Sequence, residues 1–387
     1  KGPDLRLSVP APLRAVATGA LTAEETAGGR YTARVRLHGA PGRNGVFFGP
    51  YETAARDIAL GERTVTVRTH FKAAQARHAA AYLDAGARHI ARFDARIGPY
   101  PHDSFAVISA PIPVGYGLPG ATYVAEQILG HPYMTGRALA HEVLHVWWGG
   151  AVGVDHARGN WAEGLTTYQA DHALAARRDP DAARAMRRDW LSALSRLPPG
   201  ADRPLRDFVS AAHDGDQATG YGKAAMVFHM LARRLGPARF EAALAAFYAE
   251  HRGGSADWSD LQAAFETAGG EPLDSFFAQW LDRAGLPRIA PPRAAAAPSG
   301  EGYTVTLDLV QTGPPYDLRV PVVVRTRRGR VQEVVTLAGR RATVAVEVPA
   351  RPLSVAVDPE FDVARALLPG EVAPTLRDLR RADGPAV

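Results

Sequence analysis

The sequence predicts a multidomain α+β protein, with a β region at the N-terminal end, a mostly helical middle and a small β-sandwich towards the C-terminus. Three observations carry this expectation. Apolar residues alternate with period two at Leu5, Leu7 and Val9, at Tyr31, Ala33, Val35 and Leu37, and through Thr64–Val67, as half-buried strands require. From His70 onwards the repeat changes to helical spacing and stays mostly so to Leu286. Beyond a Pro- and Ala-rich stretch, period-two alternation returns at Val305/Leu307/Leu309, Val320/Val322/Val324 and Val344/Val346/Val348.

Taken in order, the first strands are separated by turn signals at Pro41-Gly42 and Gly49-Pro50. A helix is expected from His70 to about Ile97, on Phe71, Ala74, His78, Ala81, Tyr82 and Ala85. A strand at Ser104–Ala110 follows, and then residues 141–150, which read HEVLHVWWGG.

With 13 His in 387 residues, a His-Glu-x-x-His string arises by chance on the order of 0.02 times at this His and Glu content. The surroundings favour a helix: Thr135 is a candidate N-cap, and Leu139, Val143 and Leu144 recur at helical spacing. Residues four apart stand one above the other, so His141 and His145 can close on one metal ion. Glu142 is rotated by about 100° from His141, within reach of a water on that ion. Trp148, seven residues beyond His141, either walls such a site or packs in the core.

A catalytic zinc usually has three protein ligands and an open position. The strongest third donor is Glu163, in a stretch that reads as a helix start with Asn160 as cap and Leu165, Tyr168 and His172 at helical intervals. On its own, Glu163 reads as a first-turn acid favouring the helix dipole. Beside two histidines that lack a third ligand, it reads as that ligand.

HEVLHVWWG followed by GNWAEGLTTY resembles the aminopeptidase-N-like branch of the gluzincins, zinc metallopeptidases that include leukotriene A4 hydrolase. The family pattern places 18 residues between the second His and the ligand Glu, whereas this chain has 17, Val146 through Ala162. Similar bacterial members with a WWG…GNW…EGLT pattern share the shorter turn. The resemblance is specific over about residues 113–225. It implies Zn2+ held by His141, His145 and Glu163, with Glu142 taking a proton from the attacking water and returning it to the departing amine. It also implies a catalytic tyrosine, matched by Tyr221 in Gly220-Tyr221-Gly222-Lys223-Ala224-Ala225, 58 residues beyond Glu163 and preceded by the polar loop 211–216. The ordinary fate of such a tyrosine is packing at a helix start.

One departure bears on specificity. Typical aminopeptidases of the family carry Gly-x-Met-Glu-Asn before the zinc helix, and its Glu pairs with the substrate's free amine. Here the stretch is Pro113-Val114-Gly115-Tyr116-Gly117-Leu118-Pro119-Gly120-Ala121-Thr122-Tyr123. Aligning Thr122-Tyr123 puts Tyr116 at the Glu position and makes Tyr116 and Gly117 the substrate-binding candidates. Glu126 could substitute only if the strand were shifted, and Asp155 is another acid that could anchor the amine. The expected reaction is peptide-bond hydrolysis with weakened free-amine selectivity. A catalytically inactive scaffold or interaction module of the same fold is the competing class, opposed by the filled catalytic positions. An epoxide hydrolase would need a lipid pocket that a sequence does not reveal.

The resemblance also divides the chain. It implies the C-terminal part of an N-terminal β domain over 1–70 and a thermolysin-like zincin catalytic domain over 71–288. A linker by composition spans 289–302, the β-sandwich 303–362 and a tail 363–387. A net charge of +5, from 45 basic and 40 acidic residues spread without long runs, is too dilute to argue for nucleic acid. The absence of cysteine excludes disulfides and thiolate ligands and fits reducing and oxidising compartments alike. No stretch of about 20 apolar residues is present to span a membrane. The chain starts with Lys1 and shows no signal peptide, which reads as a processed or excised segment; an extracytoplasmic location is the expectation, with a cytoplasmic one left open. Composition sets no oligomeric state.

Overall fold

The computed structural model of the protein describes residues 2–38, 44–112, 116–198, 200–211 and 215–372. The turn expected at Pro41-Gly42, residues 113–115 of the glycine-rich stretch, residues 212–214 of the polar loop and the tail beyond 372 lie outside the described residues. The fold is α+β, in two compact units that each draw on several segments of the chain.

The first unit comprises Lys1–Asp155, Leu165–Leu174 and Ala238–Gly269. Its strands are β1 (Asp4–Pro10), β2 (Arg14–Ala17), β3 (Gly19–Ala27), β4 (Arg30–Leu37), β5 (Val46–Gly49), β6 (Tyr51–Leu60), β7 (Arg63–Lys72), β8 (Ser104–Ala110), β9 (Tyr116–Leu118) and β10 (Ala121–Ala125). Strands β1, β4 and β3 form one antiparallel sheet. Its alternation places Val9, Tyr31, Ala33, Val35 and Leu37 together in one buried cluster, which is the consequence of the period-two pattern.

A second sheet has the order β6-β7-β8-β10-β9. Its inner pairs β7–β8 and β8–β10 are parallel, and β6 and β9 run antiparallel at the two edges. Parallel neighbours cannot be joined by a tight turn, so the chain crosses over through helix α1 (Ala79–Ile97) between β7 and β8. The buried side of α1 carries Tyr82, Leu83, Ala85, Gly86, His89, Ile90, Phe93 and Ile97, one face of a 3.6-residue repeat.

The helix expected to begin at His70 begins later. His70 and Phe71 close β7, a short 3₁₀ turn spans Ala73–His78, and α1 follows. An inner strand of such a sheet buries both faces. Thr69, His70 and Phe71 are accordingly all buried, and their continuous burial resembled the onset of a helical stripe.

The second unit comprises His156–Gly164, Ala175–Pro237 and Gly270–Val387. Its helical part includes Pro180–Ser195, where Asp179 accepts a hydrogen bond from the Asp181 amide at 3.0 Å and Pro180 opens the first turn. The last strands form two three-stranded antiparallel sheets. One runs Arg293–Ser299, Gly302–Val310, Arg341–Val348 and the other Gly329–Leu337, Leu318–Thr326, Pro352–Val357. Val305, Val346 and Val348 from one sheet meet Val324 of the other in a shared buried cluster, the mark of a sandwich.

Two compositional expectations change here. Arg293–Ser299, inside the stretch read as a linker, is an edge strand paired along its length with Gly302–Val310. Its alanines are weak strand formers, and the partner strand rather than their own propensity decides the conformation. At the start of the expected tail, Val363, Ala364 and Arg365 are buried. Arg365 binds the Asp358 carboxylate at 2.9 Å and Glu371 at 2.6 Å. Burying such a cation is tolerable only because it is paired on both sides.

Candidate metal centre

Helix α2 (Leu139–Leu144) carries the His-Glu-x-x-His string. Leu139, Ala140, Val143 and Leu144 are buried, while His141, Glu142 and His145 share the half-exposed face. The chain is already helical ahead of α2, with a π-helical segment at Met134–Ala138. Thr135 therefore lies inside a helix and is not its N-cap; its carbonyl is the hydrogen-bonding partner of His89 Nε2 at 3.1 Å. His145 continues the helical turn, its amide donating to the His141 carbonyl at 3.2 Å.

Each imidazole is anchored through Nδ1. His141 Nδ1 lies 3.2 Å from Asp171 Oδ2, and His145 Nδ1 lies 3.0 Å from the Trp148 carbonyl. Both partners accept, so both Nδ1 atoms carry the proton and both Nε2 atoms present lone pairs. Those two Nε2 atoms stand 3.1 Å apart. Two converging lone pairs repel one another unless a cation or proton lies between them, and outer hydrogen bonds of this kind orient metal-ligating histidines. Glu163 offers a third possible ligand atom. His141, His145 and Glu163 form the group of His, Cys, Asp or Glu side chains, among the described residues, that could hold a metal, with one ligand atom from each within 4.8 Å of the others. One anion and two neutral nitrogens make a donor set suited to zinc.

Local folding places Glu163. Asn160 Oδ1 accepts from the Ala162 amide at 3.0 Å and so caps helix α3 (Ala162–Thr166). Asn160 is itself fixed by its amide on the Phe208 carbonyl and by Nδ2 on the Val209 carbonyl. Gly164, next to Glu163, lies against Ala224 so closely that a Cβ built on it would stand 2.2 Å from the Ala224 Cβ.

Trp148 belongs to the core. It is fully buried, Nε1 donates to Gln169 Oε1 at 2.7 Å, and its ring meets Phe247 and Tyr248. Its indirect role is to hold the carbonyl that anchors His145. Asp171 was not singled out in the sequence. It lies eight residues beyond Glu163, where a regular helix would favour seven, and the π-helical segment Thr167–His172 supplies the wider turn.

Tyr221 lies in another π-helical segment, Ala218–Lys223, leading into the helix Ala224–Leu235. Its ring meets Phe208 edge-on at 6.1 Å. The neighbouring Lys223 is structural: Nζ donates to the Arg283 carbonyl at 2.8 Å, and burial draws its pKa below the ordinary lysine range.

Tyr116 and Gly117 lie on the edge strand β9, opposite Tyr123 and Thr122. Tyr116 is 60% exposed and stacks on Tyr123, with ring centroids 6.2 Å apart. A Cβ built on Gly117 would stand 3.1 Å from Glu142 Oε2, so this strand runs directly against Glu142. Glu126, the acid considered as a substitute amine anchor, is paired with Lys72 at 2.7 Å.

Comparison with known proteins agrees with this geometry. Residues 134–280 match the Peptidase family M1 domain. Aminopeptidase M1 of Arabidopsis thaliana is 28% identical over 163 residues, which is 39% of this chain and 18% of that protein. The Tricorn protease-interacting factor F2 of Thermoplasma volcanium is 28% identical over 160 residues, 38% of this chain and 20% of that protein. Among solved structures, the M1 zinc metallopeptidase mutant from Deinococcus radiodurans bound to a Tyr-Ser-Ala substrate superposes with a TM-score of 0.58 at 25% identity, over 72% of this chain and 63% of that one. Legionella pneumophila aminopeptidase A superposes over 97% of this chain and 45% of its own, with a TM-score of 0.70 at 15% identity, and speaks to the fold alone. The fold and the donor set thus define a zinc-metallopeptidase type of domain. Residues 134–280 match a peptidase M1 domain, and these likenesses support the aminopeptidase-N-like gluzincin family. The chain spans about a fifth of the length of these curated relatives.

Proposed function

We propose that this chain is a zinc-dependent peptidase in which His141, His145 and Glu163 hold the metal. The observation that carries the reading is the pair of Nε2 atoms facing each other at 3.1 Å, with Glu163 in the same group. Zinc bound there supplies Lewis-acid polarisation of the scissile carbonyl and lowers the pKa of a water towards about 7. Glu142 accepts the proton of the attacking water at its carboxylate and delivers it to the nitrogen of the departing amine. The Tyr221 hydroxyl donates a hydrogen bond to the carbonyl oxygen as it gains charge. Gly117 leaves room beside Glu142 for the substrate backbone, and the outer side of the edge strand β9 serves to align it.

Tyr116 stands at the position where related aminopeptidases carry the amine-binding acid. Its ring offers a cation about 0.5–2 kcal/mol and no formal charge. We therefore assign this chain weakened selectivity for a free N-terminus. The test is metal analysis of protein purified without chelator, followed by peptide hydrolysis with and without zinc. An intact protein that takes up no zinc and cleaves nothing would leave the fold as a scaffold.

A further inference from the structure

The sandwich of the second unit carries a feature that peptide hydrolysis does not use. The strands Leu318–Thr326 and Gly329–Leu337 are joined by the two-residue turn Arg327-Arg328. Thr326 stiffens that turn: its Oγ1 donates to the Gly329 carbonyl and accepts from the Arg328 amide, both at 3.1 Å. Around it gather Arg325, Arg330 and Arg351, the last next to Pro352, which pairs with Thr326. All five arginines are exposed. Arg328 is spent on the Pro349 carbonyl at 3.3 Å, and among the described residues no acid pairs with any of the five. Arg325 and Arg330 stand directly opposite each other in the register. Like charges in opposed positions destabilise a hairpin, so this tip keeps an electrostatic cost that an external anion would relieve.

A second observation narrows the kind of anion. The register between Leu318–Thr326 and Pro352–Val357 slips at this point: Thr326 faces Pro352 and Arg325 faces Ser354, which leaves Leu353 as a bulged residue. A bulge re-aims a side chain, and Leu353 is 63% exposed among these arginines. An exposed apolar side chain two residues from Arg351, on the strand that pairs with the one carrying Arg325, suits a surface that offers negative charge at its face and hydrocarbon below it. A phosphate-lined groove of nucleic acid gives no such return for a leucine.

We propose that this arginine tip docks on anionic lipid bilayers, the guanidinium groups on headgroup phosphates and Leu353 at the acyl boundary. The test is co-sedimentation of the whole chain with vesicles of phosphatidylcholine alone and of phosphatidylcholine mixed with phosphatidylglycerol. Binding is expected only to the mixed vesicles and should weaken steeply with added salt. Replacing Arg327 and Arg328 by Glu should lower the partition coefficient about thirtyfold or more. Leu353→Ser, which keeps the bulge and the charge, should lower it about tenfold. Circular dichroism of both variants checks that the sandwich is intact, and the salt series on the unaltered chain stands on its own should either misfold. Equal binding to neutral vesicles, insensitivity to salt, or an unchanged coefficient in Leu353→Ser would overturn the proposal. So would retention on duplex DNA together with no retention on the mixed vesicles.

Discussion

At the residue scale, the roles proposed for the metal centre separate by measurement. Glu142→Gln should keep the metal and lose nearly all turnover, because an amide cannot accept the proton while the ligands are intact. Near-normal peptide hydrolysis by that variant would remove Glu142 from the reaction. Glu163→Ala should weaken zinc binding. Tyr221→Phe should leave zinc content unchanged and lower kcat by about 100- to 1000-fold, the usual cost of one donor to the developing oxyanion. Equal zinc loss in both variants would make Tyr221 structural. Asp171→Asn tests the outer hydrogen bond on His141: zinc affinity should fall by roughly 10- to 100-fold, read by competition with a chelator. The facing of His141 and His145 was legible because four-residue spacing on a helix has one geometric outcome. Asp171 was not, since nothing in Thr167–His172 announces a turn wider than 3.6 residues.

At the element scale, the role proposed for the edge strand β9 in substrate choice is open to measurement. With Tyr116 exposed beside Gly117 and Glu126 held by Lys72, matched free and N-acetylated peptides should differ in kcat/KM by less than about a hundredfold. A larger preference for the free amine, above about 2.7 kcal/mol, would show an anionic anchor elsewhere. Packing of α3 gives a further test. Gly164→Ala forces a Cβ into Ala224 and should cost about 1–3 kcal/mol or more, seen as a lowered Tm of metal-free protein. The strands were legible where one face is buried, as in Tyr31 to Leu37. They were hidden where burial is continuous, as at Thr69–Phe71, or absent, as at Arg293–Ser299. In both cases the alternation that announces a strand is missing, and pairing with a neighbour decides instead.

At the scale of the whole molecule, histidines held neutral by their surroundings should weaken the fold as pH falls. Burial lowers the pKa of His70, with Arg68 and Arg14 adding to the effect, to about 3. His102 is lowered to about 3 by burial and by His38, and burial lowers His229 as well, against the pull of Asp362. In the unfolded chain these groups titrate near 6.5, so below that pH the unfolded state binds more protons. Their contribution is complete above pH about 6.5 and is lost as pH falls towards the folded values. Thermal denaturation of metal-free protein should show Tm falling between pH 7 and pH 5, and His70→Gln should flatten that slope. A Tm independent of pH over this interval would mean that these imidazoles are solvated.

The interleaving of the two units has a consequence for synthesis. The first unit includes Lys1–Asp155, yet its last segment ends at Gly269. A ribosome that has passed Asp155 must add 114 more residues (269 minus 155) before that unit can close, roughly 6–23 s at ordinary elongation rates. Through that interval His141, Trp148 and the strand Gly153–Val154 wait without Asp171, Tyr248 and Ser255–Ala256, their partners in the two later segments. A gene fragment cut at residue 155 would leave the nascent chain permanently in that state, so neither unit can be inherited, swapped or expressed as an uninterrupted piece.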